Sequence, residues 1–162
     1  MDDTGSVVAF WALAVLTVGS ALGAAAVRDL VRSVVCLVAT FVGVAGFFVL
    51  LSADFLAVAQ VLIYAGAISV LMVFAIMLTP RAERNNAETF FRWPALAIAL
   101  SLLGTIAAVA LTTDWATTGQ GFEETASVIG NALLSTYVLP FEIASVLLLA
   151  AMVGAILLVQ ED

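Results

Sequence analysis

Five long apolar stretches dominate the pattern of hydrophobic and polar positions along the chain. They cover about residues 7–27, 30–51, 55–78, 93–113 and 138–159. Each can cross a hydrocarbon core of about 30 Å as a helix, which takes roughly 20 residues. Backbone groups in lipid must pair within their own segment, and the alternation of a membrane β-barrel is missing. The pattern predicts an all-α, polytopic membrane protein with five transmembrane helices, forming one domain over residues 1–162.

A shorter amphipathic pattern precedes the fifth span. Apolar residues recur there at helical spacing, and polar residues fall largely elsewhere around the helix. The apolar positions are Phe122, Ala126, Ile129, Leu133 and Tyr137, and the polar positions are Glu123, Glu124, Ser127 and Asn131. This pattern predicts a short amphipathic helix at the membrane surface or against a neighbour, with an irregular loop as the alternative.

The composition supports lipid as the solvent of this chain. Of its 162 residues, 64% are hydrophobic and 10% are charged, against about half and a quarter in soluble domains. The net charge of −7 argues against nucleic acid as a partner, because nucleic acid requires a basic patch. Histidine is absent and Cys36 is the single cysteine, so we expect no redox cofactor and no metal site. Within its apolar run, Cys36 is interpreted as a small buried hydrophobe.

The basic residues predict the orientation in the membrane. Arg28 and Arg32 flank the first connection, whereas Arg81, Arg84 and Arg92 flank the third. Five spans place both connections on one side, and the positive-inside rule assigns that side to the cytoplasm. We therefore expect the N-terminus outside and the C-terminus in the cytoplasm.

The third span contains the most unusual residues. At helical spacing, Gln60 and Tyr64 share one face, and Gly66 and Ser69 lie on the opposite side. An unpaired Gln60 in hydrocarbon costs several kcal/mol, so this face is expected to lie against protein. Gly66 lies near the middle, where glycine costs about 1 kcal/mol relative to alanine and eases insertion of a π-bulge. Gly66 is therefore either a hinge or a packing glycine.

Two acidic residues lie at the starts of spans. Asp54 is predicted to be the N-cap of the third span. Glu142 follows Pro140 near the start of the fifth span, where an intramembrane acid is a candidate for proton exchange. A carboxylate in the first turn that complements the helix dipole is the alternative. The first four spans carry no acid or base near mid-membrane, so the chain alone is not expected to form a complete proton path.

Two blocks of sequence resemble the J subunit of respiratory NADH–quinone oxidoreductase, or complex I, whose mitochondrial counterpart is the sixth membrane-encoded subunit. The first block comprises Asp54-Phe55-Leu56-Ala57, Gln60, Tyr64-Ala65-Gly66-Ala67-Ile68, Val70-Leu71 and Met77-Leu78. The second comprises Ile129-Gly130, Leu133, Tyr137-Val138-Leu139-Pro140-Phe141-Glu142-Ile143-Ala144-Ser145 and Gly154-Ala155-Ile156. The first connection departs from the family's Asn-Pro-Val and reads Arg28-Asp29-Leu30-Val31-Arg32, which puts only the loop geometry in doubt.

The resemblance implies a non-catalytic subunit in the membrane arm of a proton-pumping hetero-oligomer, located in a bacterial cell membrane. The parent complex would use NADH, FMN, iron–sulfur clusters and quinone, whereas this subunit would bind no cofactor. In the family, the third helix switches between a π-bulged and a regular form, which opens and closes a water wire. Carried onto this sequence, the switching zone is Tyr64, Gly66 and Ser69, beside Gln60.

Two alternatives of other classes stay open. The chain could be a component of a small stand-alone ion or proton transporter, with Glu142 as its titratable site. It could also be a purely structural subunit that holds its neighbours together.

Overall fold

A computed structural model describes residues 3–79, 92–114 and 125–159, and every regular element in these ranges is a helix. The elements are α1 (Asp3–Ala26), α2 (Leu30–Leu50), α3 (Asp54–Leu78), α4 (Arg92–Thr112), α5 (Thr125–Leu134) and α6 (Val138–Val159). All except α5 are long and apolar enough to cross a membrane, so the five predicted spans are confirmed. The first helix begins before residue 7 because helical hydrogen bonding continues into the polar residues that precede the apolar run.

The short helix before the last span is also confirmed. Ile129 and Leu133 of α5 are half-buried, whereas Ser127 and Asn131 are exposed, as the amphipathic pattern predicts. Ala126, expected on the apolar face, is exposed. The helix contacts α6 and the first residues of α3, so it lies against neighbouring helices. Phe122, Glu123 and Glu124, and also Arg81 and Arg84 of the third connection, lie outside the described residues.

α2 is the central helix of the part of the bundle that packs on itself. α1 lies along it and α3 packs against it over its whole length, whereas α1 and α3 do not contact each other. Val34 and Ala45 of α2 are buried between these helices. The Ser20 and Thr40 hydroxyls form a hydrogen bond of 3.0 Å between α1 and α2, and Ser33 donates to the Ala24 carbonyl. Such hydroxyl bonds hold helices together in lipid, where hydrophobic association is weak.

Small residues allow the backbones of α1 and α2 to approach closely. A Cβ at Gly43 would overlap Thr17 Oγ1, and one at Gly46 would lie 2.6 Å from Leu13 Cδ2. A Cβ at Gly23 would lie 3.2 Å from the sulfur of Cys36, which is half-buried. These close approaches follow the small-residue packing of membrane helices.

The helix ends are fixed by local hydrogen bonds. Asp29 caps α2, because its Oδ1 accepts from the backbone N–H of Val31 at 3.0 Å. At the other end Ala53 N–H donates to Phe48 O, and Ser52 adopts a left-handed φ of 56°. The predicted N-cap at Asp54 is wrong by one residue. Ala53 holds the cap position because α3 already begins at Asp54, whose carboxylate lies in the first turn and complements the helix dipole.

Two of the five spans lie apart from this bundle. Within the described ranges α4 contacts no other helix, and α6 contacts only α5. Their apolar side chains are exposed on all sides. The described residues therefore do not fix how α4 packs, and α5 is the one described element that positions α6. The orientation of the termini across the membrane stays a prediction.

Replacing Gly43 with alanine should destabilise the α1–α2 pair. The added Cβ must displace the Thr17 hydroxyl, which donates to Leu13 O at 2.7 Å, and such overpacking typically costs about 1–3 kcal/mol. Gly19→Ala is the matched control, because a Cβ there points into open space. We expect a lower thermal midpoint for Gly43→Ala in detergent and an unchanged or higher one for Gly19→Ala. Equal midpoints for the two variants would contradict the close approach.

Candidate functional site in the third helix

The third helix changes its type of winding in the middle. Asp54–Ala59 is α-helical, Gln60–Ile68 is π-helical, and Ser69–Leu78 is α-helical again. π-helices are rare, usually occur as a single widened turn, and are frequent at functional sites. This segment of 9 residues contains Gln60, Tyr64 and Gly66, and Ser69 follows it directly. The structure therefore brings together the four residues that the sequence singles out in this span.

Ser69 closes the π segment with two hydrogen bonds to one carbonyl. Its backbone N–H donates to both Gly66 O and Tyr64 O, the latter five residues back, and its Oγ donates to the same Tyr64 oxygen at 2.7 Å. The side chain is only 3% exposed. A buried hydroxyl needs a partner, and here the partner is a carbonyl in the i−5 register. Ser69 thus stabilises the widened turn directly.

Gly66 lies close to a backbone carbonyl of the widened turn. A Cβ at this position would lie 3.3 Å from Val61 O, the carbonyl five residues back. No atom of another described helix lies within 4 Å of the same position. No other described helix packs closely against Gly66, so the described chain does not support the packing interpretation. The close carbonyl is that of Val61, five residues back, which is the spacing of π-helical hydrogen bonds.

Tyr64 contacts an aromatic residue that the sequence analysis does not single out. Its ring meets the ring of Phe41 in α2 edge to face, with centroids 5.5 Å apart. Such pairs contribute about 0.5–1.5 kcal/mol beyond area burial. Tyr64 is nevertheless 46% exposed. Phe41 lies in a uniformly apolar run, so no sequence signal distinguishes it, and its role depends on how α2 and α3 pack.

The predicted faces of the third helix assume regular α-helical winding. The prediction placed Tyr64 and Ser69 on different sides because it used 3.6 residues per turn. In the π segment the hydrogen bonds join residues five apart, and the Ser69 side chain reaches the Tyr64 carbonyl. Gln60 is the first π residue and is half-buried, and no described residue forms a hydrogen bond to its side-chain amide.

Glu142 lies apart from this segment. It belongs to α6, which within the described chain contacts only α5. The proposed first-turn position is wrong, because α6 begins at Val138 and has no acidic residue in its first turn. The described side chains also bring no three His, Cys, Asp or Glu residues together as a metal site would require. The candidate site is therefore the Gln60–Ser69 segment.

These features define a polytopic α-helical membrane protein whose distinctive site is a change of helical register rather than a set of reactive side chains. The sequence model of the family described as NADH-ubiquinone/plastoquinone oxidoreductase chain 6 matches residues 20–158. The chain belongs to this family, and the resemblance of its two sequence blocks to the J subunit is confirmed.

Individual relatives match over most of their length. Chain 6 of the NAD(P)H-quinone oxidoreductase of Synechocystis sp. is 41% identical over 161 residues, which is 96% of this chain and 81% of the relative. Subunit 6 from the organellar chromatophore of Paulinella chromatophora is 42% identical, covering 100% of this chain and 82% of the relative. Subunit J of the F(420)H(2) dehydrogenase of Methanosarcina mazei is 36% identical, covering 100% of this chain and 98% of the relative.

Replacing Ser69 with alanine should loosen the end of the π segment. The change removes one hydrogen bond to Tyr64 O, which is worth about 1 kcal/mol, or roughly a fivefold change in population. Hydrogen exchange of the backbone amides at residues 65–69 should accelerate by about that factor. Ser135→Ala is the control, because it removes a hydroxyl-to-carbonyl bond of 2.6 Å in an i−4 register. Unchanged exchange in Ser69→Ala would show that the hydroxyl does not hold this turn.

Proposed function

We propose that the chain is a membrane-arm subunit that couples quinone reduction to proton translocation without transferring electrons itself. Its relatives are named as parts of NAD(P)H-quinone oxidoreductases and of an F(420)H(2) dehydrogenase, so their electron donors differ. A subunit that is shared by complexes with different electron donors is expected to act at a step that does not depend on the donor. The sequence has no histidine and one cysteine, which supports a role without a bound redox cofactor.

The π segment of α3 is proposed to be the moving part. A return to α-helical winding shifts the register by one residue, which rotates the following helix by about 100°. The Tyr64 carbonyl would then lose its bond from the N–H of Ser69, five residues on, and accept one from the N–H of Ile68, four residues on. Such a rotation would swing the polar groups of the segment into or out of a path of water molecules, which protons can follow. The Ser69–Tyr64 hydrogen bond carries this proposal.

The site offers the properties that a two-state element requires. The π form is held by a hydroxyl bond at Ser69, by the Phe41–Tyr64 ring contact and by the missing Cβ at Gly66. Each contribution is about 1 kcal/mol, so the balance with a regular helix is expected to be adjustable. The start of α3 contacts α5 as well as α2, whereas its second half contacts only α2 among the other described helices, which supports rotation of the second half relative to the first.

The proposal requires partner subunits and a membrane orientation. α4 and α6 have little or no contact with the rest of the described chain, which supports neighbouring subunits as partners. We propose a bacterial cell membrane as the location, with Arg28 and Arg32 on the cytoplasmic side. A purely structural role in assembly is the second candidate, because the same unpartnered helices favour it.

Replacing Gly66 should separate coupling from assembly. In Gly66→Ala the Cβ would meet Val61 O at 3.3 Å, and in Gly66→Val the branched side chain adds to the crowding, so the π form should lose about 1–3 kcal/mol. We expect donor-driven proton uptake by inverted membrane vesicles and quinone reduction to fall at least fivefold. Native electrophoresis should show the complex assembled.

Gly104→Ala is the control, because a Cβ at Gly104 meets nothing within 4 Å among the described residues. Full proton uptake by an assembled Gly66→Val complex would overturn the coupling role of the segment. If Gly66→Val instead removes the complex from the gel and no assembled variant loses coupling, the structural role is supported.

A further inference from the structure

Glu142 is the one charged residue in the span at residues 138–159. It is the fifth residue of α6, so it lies about 6 Å along the axis from the helix start at 1.5 Å per residue. Glu142 lines a shallow groove of about 320 Å³ together with Leu139, Ile143, Val146 and Leu147. We call these five residues the Glu142 face. The charge is therefore surrounded by apolar side chains at the exposed surface of a membrane helix.

The described part of the chain offers this carboxylate no counter-charge. The ion pair found there joins Arg32 to Asp29 at 3.5 Å, in the first connection. α6 contacts only α5, which contains no basic residue, and no described group forms a hydrogen bond to the Glu142 carboxylate.

The topology also places the arginines of the first connection away from Glu142. α5 contacts both α6 and the start of α3, so α6 begins at the end of the bundle where α3 begins. Arg28 and Arg32 flank the first connection, which lies at the opposite end of α2 from the start of α3. These two arginines therefore lie near the other end of the bundle from Glu142, which is in the second turn of α6.

The helix dipole does not account for Glu142 either. The favourable effect of the dipole on a carboxylate falls off within the first turn, and α6 has no acidic residue in its first turn. An ionised carboxylate in an apolar environment is costly unless it is paired, and charged groups in membrane spans usually face a protein interior or a partner charge.

We propose that the Glu142 face docks against a transmembrane helix of another subunit, and that this helix carries a lysine or arginine that pairs with Glu142. Charge complementarity selects this occupant over a uniformly apolar helix. The four apolar residues of the face would pack against the partner, and the ion pair would fix the depth and rotation of α6. This inference rests on the proposed function only in requiring that the chain works within a multi-subunit complex.

Photo-crosslinking in the intact complex tests the occupant without altering Glu142. Benzoylphenylalanine is placed at Val146, on the Glu142 face, or at Leu148, on the opposite side of α6. We expect Val146 to crosslink to a helix of another subunit that carries lysine or arginine within about one helical turn of the crosslink. Crosslinks from Val146 to lipid only, or to a helix without such a residue, would overturn the proposal.

Charge exchange tests the pairing itself. Glu142→Lys should lower the amount of this chain retained in the purified complex at least fivefold, and replacing the partner's basic residue with glutamate should restore it. Ser145→Ala, which removes a neighbouring hydroxyl bond to Glu142 O, is the control and should be retained normally. Normal retention of Glu142→Lys, or failure of the exchanged pair to restore it, would overturn the pairing. Absence of the wild-type chain from any quinone-reducing complex would instead overturn the proposed function.

Discussion

The requirement that every backbone N–H and C=O be paired within lipid shapes this molecule. Hydrocarbon offers no hydrogen bonds, so a span cannot open a turn to the solvent as a soluble loop can. A π segment is one of the few changes available, because it replaces i−4 bonds with i−5 bonds and leaves the carbonyls paired. In α3 the transition back to α-helix occurs at Ser69, whose N–H and hydroxyl both donate to Tyr64 O. A change of register is therefore one motion that such a span can make while its backbone groups stay paired.

The same constraint explains why the chain divides into two parts. Apolar side chains gain little by leaving lipid for one another, so helices associate through close backbone contact and hydroxyl bonds. α1 and α2 have both, at Gly43 and between Ser20 and Thr40. α4 and α6 have neither with any other described span, although they are equally apolar. Hydrophobicity places five helices in the membrane, and specific contacts decide which of them pack together within this chain.

The parts of the structure that the sequence predicts are those that the bilayer determines. The number and positions of the spans follow from the length and hydropathy of the apolar runs. Gly66 can be singled out because glycine destabilises a helix interior whatever surrounds it. The extent of the π segment depends instead on tertiary contacts. Phe41 is one phenylalanine in an apolar run, and its contact with Tyr64 depends on how α2 and α3 pack. The helical period used to assign faces assumes regular winding, so it could not predict the bond between the Ser69 hydroxyl and the Tyr64 carbonyl five residues back.

The energies at the π segment also limit what can drive the proposed switch. A hydroxyl bond and an aromatic pair each contribute about 1 kcal/mol, so the described contacts that hold the π form sum to only a few kcal/mol. Moving a two-state equilibrium from 1:99 to 99:1 requires about 5.5 kcal/mol of differential stabilisation. No contact described at the segment supplies that amount, and α3 borders only α2 and α5 within the described chain. The driving free energy of the proposed switch must therefore come from outside this subunit, through surfaces of α3 that the chain leaves exposed. In the proposed switch, the chain would contribute the helix that changes its winding, and its partners would supply the bias.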